Sequence, residues 1–444
     1  MGAILEGITV LDFSEYIAGP YAGFLLADLG ADVIKIEPPD GSEERRWGNS
    51  QRYKGNTRTS LTMNRGKRSL CLDMRKEESR SIIYRLVEKT DIVIQNYAPG
   101  VAKKLGIDYD TLSAMNKGLI FISSTAFGEI GPYQKRKGFD IIAHAAAGIM
   151  AGYADGDGNP RGPGGAPYID IGTGMLNAFS AVSALFARSR TGEGQKIETS
   201  LFNTGMALLA TGFSYIEELD TERHEQERAL LKNAIKEKKT HTQIIDAITD
   251  LRNSYEMPEA MGKFELPDCN HRPSDRWSFP HYRIYETADG FIGLAALTSR
   301  QRTSACEVLG IDSKFAGVEL SEITNEVIDN IKSLNDQMEA RFHEKTNNEW
   351  IEALEKAGVP CGPVNYSVDL FNDPQALAVD MIWDLKNSEL GPYKMIGHPV
   401  RYPKNPAKPG KGAPTLGEDS VAVLLQFGYS PAEIDAFKKQ SVVR

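Results

Sequence analysis

Short apolar runs and amphipathic stretches alternate along the N-terminal part of the chain. The apolar runs predict five strands, at residues 8–13, 32–36, 69–72, 91–95 and 119–123. Helical spacing of apolar residues follows two of them, over 21–29 and over 77–89. Buried apolar runs separated by helices are typical of a parallel sheet built from βαβ units. The predicted fold class is therefore α/β, with a Rossmann-like parallel sheet in a large domain.

A change in composition divides the rest of the chain. Residues 217–275 are rich in charge with only a thin apolar stripe, which predicts an exposed helical insertion or linker. The Asp289-Gly290 pair between two apolar runs predicts a β-hairpin, and we assign 276–345 to a smaller α+β domain. Residues 1–216 then form the first part of the large domain, and 346–444 return to it. Frequent proline and glycine make us expect mainly extended chain within this last segment.

Composition and charge narrow the function classes. The 444-residue chain is 41% apolar and 25% charged, which is ordinary for a globular protein. Its net charge of −9 argues against a nucleic-acid surface. There is no run of about 18 consecutive apolar residues, and the N-terminus lacks the basic and apolar regions of a secretory signal. We therefore expect a cytoplasmic protein with no membrane or nucleic-acid partner.

The spacing of cysteine and histidine gives no support to a metal site. Cys71, Cys269, Cys306 and Cys361 are scattered, without a Cys-x-x-Cys pair, and the seven histidines show no zinc-binding spacing. The turn after the first predicted strand, 14–20, lacks the glycine fingerprint of dinucleotide sites, and there is no Walker loop. We expect reduced thiols and no metal, nicotinamide or flavin.

Asp170 is the strongest candidate for chemistry. It follows the glycine-rich run 162–165 and precedes a long helical pattern over 175–188. A carboxylate at a helix start, near free backbone N–H groups and the positive end of the helix dipole, is expected to stay ionised. These properties suit a nucleophile. The same position also suits a helix N-cap, so the local pattern alone leaves both roles open.

Several motifs occur in the order typical of one family. They comprise 5–13, Ala18-Gly19-Pro20, 29–37, 96–100, 128–132, 137–140, 190–195, 357–364 and 412–418. In these segments the chain resembles the family III coenzyme A transferases, also called the CaiB/BaiF family. The resemblance implies a homodimer of two interlocked ring-shaped subunits. It also implies that both chain ends form the large Rossmann-like domain of each subunit, with a smaller domain between them.

The resemblance further implies that Asp170 is catalytic and favours the nucleophile over the N-cap. In this chemistry the carboxylate attacks the thioester of a donor acyl-CoA, which gives an acyl–aspartyl anhydride and CoA thiolate. The thiolate then forms an aspartyl–CoA thioester, and an acceptor carboxylic acid completes the exchange. Acyl-CoA is thus expected as a substrate, with no tightly bound cofactor. Backbone N–H groups at the helix start are expected to stabilise the oxyanions.

The positions that match the family's CoA contacts are spread over several segments. They are Tyr16, Ile17 and Ala18 after the first strand, Lys67, Arg68, Leu72 and Arg75 around the third, Asn96 and Tyr97 after the fourth, and Lys104 and Lys137 beyond it. The cationic side chains among them would meet the CoA phosphates. For any single lysine, a solvated surface charge is the alternative interpretation.

Two departures from the family's pattern concern the acyl pocket. Some members have a glycine run that acts as a lid, whereas residues 270–279 contain no such run. The oxalate-using members tend to have glutamine after the residue that matches Tyr16, whereas this chain has Ile17. An apolar wall there favours a larger or less polar acyl group over a small dicarboxylate. Trp47 and Trp277 are weaker candidates for the same pocket.

Two other functions remain open. The α-methylacyl-CoA racemases of the same superfamily pair the aspartate with a histidine, whose position is taken here by Phe139, which accepts no proton. His144 lies five residues further on, on another face of a helix, and we interpret it as a packed or capping residue. Glu15 and Asp140 could assist acid–base steps, although turn or cap roles fit them better. The segment 217–275 leaves open a non-catalytic CoA-binding subunit of a hetero-oligomer.

Overall fold

The computed structural model describes residues 2–48, 51–152, 159–162, 164–210, 213–256, 280–312, 316 and 325–444. The chain forms two compact units. The first comprises residues 1–147, 165–211 and 370–444, and the second comprises residues 148–164 and 212–369. The first unit is therefore assembled from three separate segments, which include both chain ends.

The helices and strands of the described residues are numbered in chain order. The strands are β1 (Thr9–Asp12), β2 (Asp32–Glu37), β3 (Arg68–Cys71), β4 (Ile92–Gln95), β5 (Ile120–Thr125), β6 (Lys196–Ser200), β7 (Tyr282–Glu286), β8 (Phe291–Ala295), β9 (Cys361–Pro363), β10 (Ile382–Asn387) and β11 (Gly391–Ile396). The helices are α1 (Ala18–Asp28), α2 (Arg58–Met63), α3 (Glu77–Val87), α4 (Val101–Leu105), α5 (Tyr109–Ser113), α6 (Asp140–Ala146), α7 (Tyr168–Thr191), α8 (Leu201–Ala207), α9 (Glu217–Lys236), α10 (His241–Glu256), α11 (Ser299–Leu309), α12 (Asn325–Phe342), α13 (Asn347–Lys356), α14 (Pro374–Ala378), α15 (Ser420–Gln426) and α16 (Pro431–Lys439).

A six-stranded parallel sheet forms the centre of the first unit. Its spatial order is β3-β2-β1-β4-β5-β6, and every neighbouring pair is parallel. This is the order of doubly wound nucleotide-binding sheets, in which the winding direction reverses between β1 and β4. The five strands predicted from apolar runs are confirmed. Strand β6 was not predicted because it lies at the sheet edge, where its Lys-Ile-Glu-Thr-Ser sequence is largely polar and partly exposed.

Successive residues of the central strands point into two buried layers. Val10, Val33, Ile92 and Ile120 belong to the layer that contains α1 and α7 residues such as Phe24 and Ala181. Leu11, Ile34, Val93 and Phe121 belong to the opposite layer, with residues of α3, α15 and α16 such as Ile82, Val423 and Ile434. Because strand side chains alternate between faces, a sheet covered on both faces requires continuous apolar runs. That requirement explains why these strands were recognisable in the sequence.

Helix α7 packs closely along α1. A Cβ atom at Gly174 would lie 2.8 Å from the Ala18 carbonyl oxygen and 2.8 Å from Tyr21 Cβ, so only glycine fits there. This close approach fixes the start of α7 beside the turn that follows β1. Among the described helices, α7 alone has the length and apolar composition of a membrane-crossing segment, a test that a core helix of a soluble protein also meets.

The C-terminal segment is more ordered than the expected extended chain. Strands β10 and β11 form an antiparallel hairpin, and α14 precedes it. Buried Trp383 and Leu385 alternate with exposed residues along β10, a pattern that the surrounding prolines and glycines hid. The guanidinium of Arg65 pairs with Asp28 at 2.6 Å and donates to the Ile396 carbonyl at 2.5 Å, which ties β11 to the end of α1.

The second unit contains the antiparallel sheet β7-β8-β9. The hairpin predicted around Asp289-Gly290 is confirmed. Strand β9 pairs with β8, and Trp350 and Leu354 of α13 belong to the core of this unit. Residues 346–369 therefore remain with the small sheet, and the return to the first unit falls at residue 370 instead of 346.

The charged segment of the second unit is helical over its described part. Helices α9 and α10 are joined by an ion pair between Arg252 and Glu227, with 2.8 Å between Nε and Oε1. Residues 257–279 lie outside the described residues. They include Trp277 and the segment 270–279, whose sequence lacks the glycine run of the family's lid.

We expect Gly174→Ala to lower the free energy of unfolding by about 1–3 kcal/mol, because the added methyl group would meet the Ala18 carbonyl. Denaturant-induced unfolding of the purified protein measures the change. Gly172→Ala in the same helix is the matched control, since its methyl group would meet only Thr204 Cγ2, at 3.2 Å. The free energy of unfolding of that control should change by less than about 1 kcal/mol, because the helix propensity of alanine offsets the close contact with Thr204. Equal stabilities of the two variants would contradict the close approach of α1 and α7.

Candidate active site

A cavity of about 420 Å³ opens at the carboxyl ends of β1, β4 and β5. Its walls come from the turns after these strands and from the segment that leads into α6. They include Glu15, Tyr16 and Ala18, then 96–99 and 124–126, and then 136–139, with Asp170 and Leu201. In doubly wound sheets, ligands bind outside the carboxyl ends of the strands where the winding direction reverses. The strand order therefore determines where this cavity lies.

Asp170 occupies the third position of α7 and lines the cavity. The helix begins at Tyr168, earlier than the predicted pattern over 175–188. Its N-cap residue is Pro167, which provides no side-chain hydrogen bond. The N-cap interpretation of Asp170 is therefore wrong, and its carboxyl group does not cap the helix.

The carboxylate of Asp140, the first residue of α6, caps α7 instead. Its Oδ1 atom accepts the N–H groups of Ile169 and Asp170, each at 3.0 Å. Its Oδ2 atom lies 3.0 Å from Nδ1 of His144, which is only 4% exposed. These contacts confirm the cap role of Asp140 and the packed role of His144. They correct the expectation that N–H groups at this helix start are free for an oxyanion, because Asp140 already occupies two of them.

The surroundings of Asp170 disfavour its charge. Burial, and secondly the nearby Asp140 carboxylate, raise the pKa of Asp170 to about 7. The expectation that this carboxylate stays ionised is therefore corrected: near pH 7 the protonated and ionised forms have similar populations. Strongly shifted carboxyl groups in a cleft are typical of catalytic sites.

Buried charges hold the turn that forms the opposite wall. Tyr16 has a φ of 66°, a left-handed conformation that is unusual for a bulky residue. Its N–H donates to Glu44 Oε2 at 3.2 Å, and Glu44 pairs with the fully buried Lys35 at 3.3 Å. Asn96 exchanges two hydrogen bonds with the backbone of Glu15, at 2.8 and 2.6 Å. Sequence reasoning missed Lys35 and Glu44, although a lysine inside an apolar strand signals a buried partner.

Aromatic rings form an apolar side of the cavity. The ring centroids of Tyr16 and Phe139 are 5.1 Å apart, and those of Tyr16 and Trp47 are 5.6 Å apart. Ile17, predicted to supply this apolar wall, packs instead against the core layer of α1 and α7. The wall is therefore apolar, as expected, but Tyr16 and Phe139 provide it.

The structure brings together only part of the predicted CoA contacts. Tyr16, Ala18, Asn96, Tyr97 and Lys137 line the cavity with Asp170. Lys104 is exposed on α4, outside this lining.

The predicted contacts around β3 have other partners. Lys67 is fully buried, and its Nζ contacts Asp12 Oδ2 at 2.7 Å and donates to the Pro20 carbonyl at 2.9 Å. It is a structural cation, which corrects its assignment to a CoA phosphate. Leu72 is also fully buried, and Arg68 pairs with Asp32 at 2.6 Å. Arg75 is 83% exposed and pairs with Asp73 at 2.7 Å.

The described thiols are weak candidates for a nucleophile. Cys71 and Cys306 are buried and Cys361 is partly buried, and burial raises the pKa of each to about 11. Thiols are nucleophilic as thiolates, which are scarce at neutral pH under these conditions. Within the described ranges, no group of three or more His, Cys, Asp or Glu side chains is placed to hold a metal ion. Among the described residues, Asp170 remains the best-placed candidate nucleophile.

A comparison of the chain with models of protein families identifies its family. The model of a family described as "CoA-transferase family III" matches residues 5–247 and 241–420. The chain belongs to CoA-transferase family III. The two matched ranges together span the whole charged segment 217–275.

Named relatives and a solved structure agree with the family. A succinyl-CoA–D-citramalate CoA-transferase of Chloroflexus aurantiacus is 30% identical over 433 residues, which cover 95% of this chain and 94% of the relative. A succinate–glutarate CoA-transferase of Agrobacterium fabrum is 29% identical, with 95% of each chain covered. The crystal structure of a CaiB/BaiF family protein from Brucella suis has a TM-score of 0.70 and 29% identity, and the match covers 96% of this chain and all of that one.

We expect Asp170→Asn to stabilise the protein more at pH 8 than at pH 5. The folded-state pKa of Asp170, about 7, exceeds the ordinary value of 3.8, so ionisation costs stability as the pH rises between these values. The gain from the substitution should grow by about 2 kcal/mol between pH 5 and pH 8. Denaturant unfolding at both pH values measures it. Asp384→Asn, which changes a 79% exposed carboxyl group, is the control and should show no such growth. A gain that does not depend on pH would contradict the raised pKa.

Proposed function

We propose that this protein transfers CoA from a donor acyl-CoA to an acceptor carboxylic acid, with Asp170 as the nucleophile. The observation that carries the proposal is the half-buried Asp170 carboxyl group, with its raised pKa, in a cavity at the point where the sheet reverses its winding. Membership of CoA-transferase family III supports the reaction class. The relatives described above are named for CoA transfer between acids.

The proposed reaction proceeds through two kinds of covalent intermediate. The ionised Asp170 attacks the donor thioester carbonyl, which forms a mixed anhydride and releases CoA thiolate. The thiolate attacks the aspartyl carbonyl, which gives an aspartyl–CoA thioester and frees the donor acid. The acceptor carboxylate attacks this thioester, which forms a second anhydride and releases the CoA thiolate again. The thiolate then attacks the acceptor's carbonyl. The product acyl-CoA leaves and the Asp170 carboxylate is restored. Division into such steps is the advantage of covalent catalysis.

Other groups in the cavity suit the remaining tasks. Lys137 places a cation where a CoA phosphate can be bound. Ala18 lines the cavity as the first residue of α1, whose N-cap residue Ile17 provides no capping side chain. The positive end of α1 therefore favours the thiolate and the oxyanions that form beside Asp170. Asn96 holds the turn at Glu15 and keeps this geometry in place.

The aromatic wall favours an acyl group with an apolar portion. Tyr16 and Phe139 line the cavity, and the ring of Trp47 contacts Tyr16 from outside this lining. A small dicarboxylate would leave these rings without apolar contact. A turnover profile in which oxalate is the best acceptor would contradict this part of the proposal.

The racemase alternative has less support. It requires a second base, yet none of the described residues lining the cavity is a histidine. His144 contacts Asp140 instead, and Phe139 accepts no proton. The presence of Asp170 in a cavity of this size also argues against the alternative that the protein is a non-catalytic subunit.

We propose a homodimer as the working form and the cytoplasm as its location. Five large apolar side chains form a stripe along the outer face of α7: Met175, Leu176, Phe179, Val182 and Phe186, with Phe179 70% exposed. Their three- and four-residue spacing places them on one side of the helix. A continuous apolar stripe of this kind is typical of a surface that another chain covers.

The test is intact-mass spectrometry after incubation with succinyl-CoA, acetyl-CoA and a panel of other acyl-CoAs, with hydroxylamine added to trap the intermediates. We expect an adduct that maps to Asp170. Asp170→Asn should lose the adduct and at least about 10³-fold of transfer activity. The exposed-carboxyl variant Asp384→Asn should retain both.

An adduct on another residue, or transfer activity retained by Asp170→Asn, would contradict the proposed nucleophile. Deuterium entering the α-position of a 2-methylacyl-CoA from D₂O, without an adduct, would favour the racemase instead.

A further inference from the structure

We infer that Asp140 and His144 form a positioning pair, which fixes the start of α7 and keeps a negative charge beside Asp170 until Asp170 is acylated. The inference rests on the proposed role of Asp170 as the nucleophile. It assigns a task in the reaction to two residues that do not themselves bond to substrate.

Contacts on both oxygens hold the Asp140 carboxylate in one orientation. Oδ1 accepts two N–H groups from the first turn of α7, one of them from Asp170 itself. Oδ2 lies 3.0 Å from Nδ1 of His144, one helical turn further along α6. Nδ1 also lies 3.0 Å from the Asp140 carbonyl, so both neighbours of this nitrogen are acceptors and the proton belongs on Nδ1. Rotation of the Asp140 carboxylate would break at least one of these contacts.

The surrounding helices leave the start of α7 little freedom. A Cβ atom at Gly205 of α8 would lie 2.8 Å from Ala147 Cβ and 3.1 Å from Ile169 Cδ1. The hydroxyl groups of Thr173 and Thr204 are 2.7 Å apart and join α7 to α8. These contacts and the link from Asp140 to α7 together determine where the Asp170 side chain begins.

Backbone N–H groups and helix dipoles stabilise a negative charge on Asp140, whereas no such contacts stabilise a negative charge on Asp170 among the described residues. Asp140 lies at the N-terminal ends of both α6 and α7, where helix dipoles stabilise an anion. Asp170 receives no such hydrogen bonds in the described contacts, and Asp140 raises its pKa. The other titratable or charged groups that line the cavity with Asp170 are Glu15, Tyr16, Tyr97, Arg136 and Lys137, while Tyr168 precedes it on α7 and α8 carries none.

This arrangement affects the ionised nucleophile and the acylated enzyme differently. Repulsion from Asp140 acts on Asp170 only while Asp170 carries its charge. Attack on the thioester converts that carboxylate into a neutral anhydride and moves the negative charge to the departing CoA thiolate. The fixed charge of Asp140 therefore makes acylation more favourable, in addition to holding the helix in place.

The test measures the rate of single-turnover acylation between pH 5 and pH 9. It uses variants that change the charge of Asp140 or its contacts. The probe is the acyl-CoA that gives the largest Asp170 adduct with the wild type, and quenched mass spectrometry provides the rate. Asp140→Asn keeps an oxygen that can accept both N–H groups, removes the charge and places an amide nitrogen beside Nδ1 of His144. His144→Ala measures the loss of the His144 contact alone. For Asp140→Asn, the apparent pKa for acylation should fall by about one unit, and the plateau rate should fall about 10-fold. Asp140→Ser, a neutral cap residue, provides the same comparison if the amide variant does not fold.

Changes at His144 test the orientation without removing the Asp140 charge. His144→Ala should lower the plateau rate without shifting the pH profile, and His144→Asn, which restores a donor near the Nδ1 position, should recover much of the loss. A purely structural pair would change stability and leave the pH profile of folded Asp140→Asn unshifted, which would overturn the inference. Failure of the wild type to form any adduct would instead overturn the proposed function, so the two failures are distinguishable.

Discussion

The carboxylate of Asp140 is the constraint on which the site depends. Asp140 accepts the N–H groups of Ile169 and Asp170, which fixes the start of α7. The Asp170 carboxyl group therefore lies near the negative charge of Asp140. The tight packing of α7 on α1 at Gly174 then sets this helix start against the turn after β1. The same Asp140 carboxylate that holds the Asp170 backbone N–H also adds to the cost of ionising Asp170, of which burial is the larger cause.

The opposite wall of the cavity depends on two buried charges, Lys35 on β2 and Glu44 in the segment that follows β2. Lys35 and Glu44 are fully buried, an arrangement that is costly unless both are paired and hydrogen-bonded. Here they hold the backbone around Tyr16 in a left-handed conformation, which turns the ring toward Phe139. An aromatic wall and a partly buried carboxyl group on one cavity suit the proposed reaction, whose anhydride intermediates must be kept from water.

The sequence predicted the parts of the fold that depend on local patterns. Five central strands were recognisable because burial on both faces requires apolar runs, whereas the edge strand β6 and the β10–β11 hairpin carry mixed polar sequences. The candidate nucleophile was predicted, but its raised pKa was not, because this arises first from burial in the folded chain and secondly from Asp140, which is thirty residues distant in sequence. For the same reason Lys67 was misassigned: a lysine looks like a phosphate ligand until its partner Asp12, on another strand, is seen. Tertiary charge pairing is the information that sequence patterns lack.

We attribute a titration of Asp170 near neutral pH to its burial and secondly to the Asp140 charge. Infrared difference spectroscopy across a pH titration of the unliganded protein tests this most directly, with Asp170→Asn as the reference. We predict a protonated-carboxyl band that disappears with a midpoint near pH 7 and is missing from the variant. A wild-type spectrum with no carboxyl group titrating between pH 5 and pH 9 would contradict it.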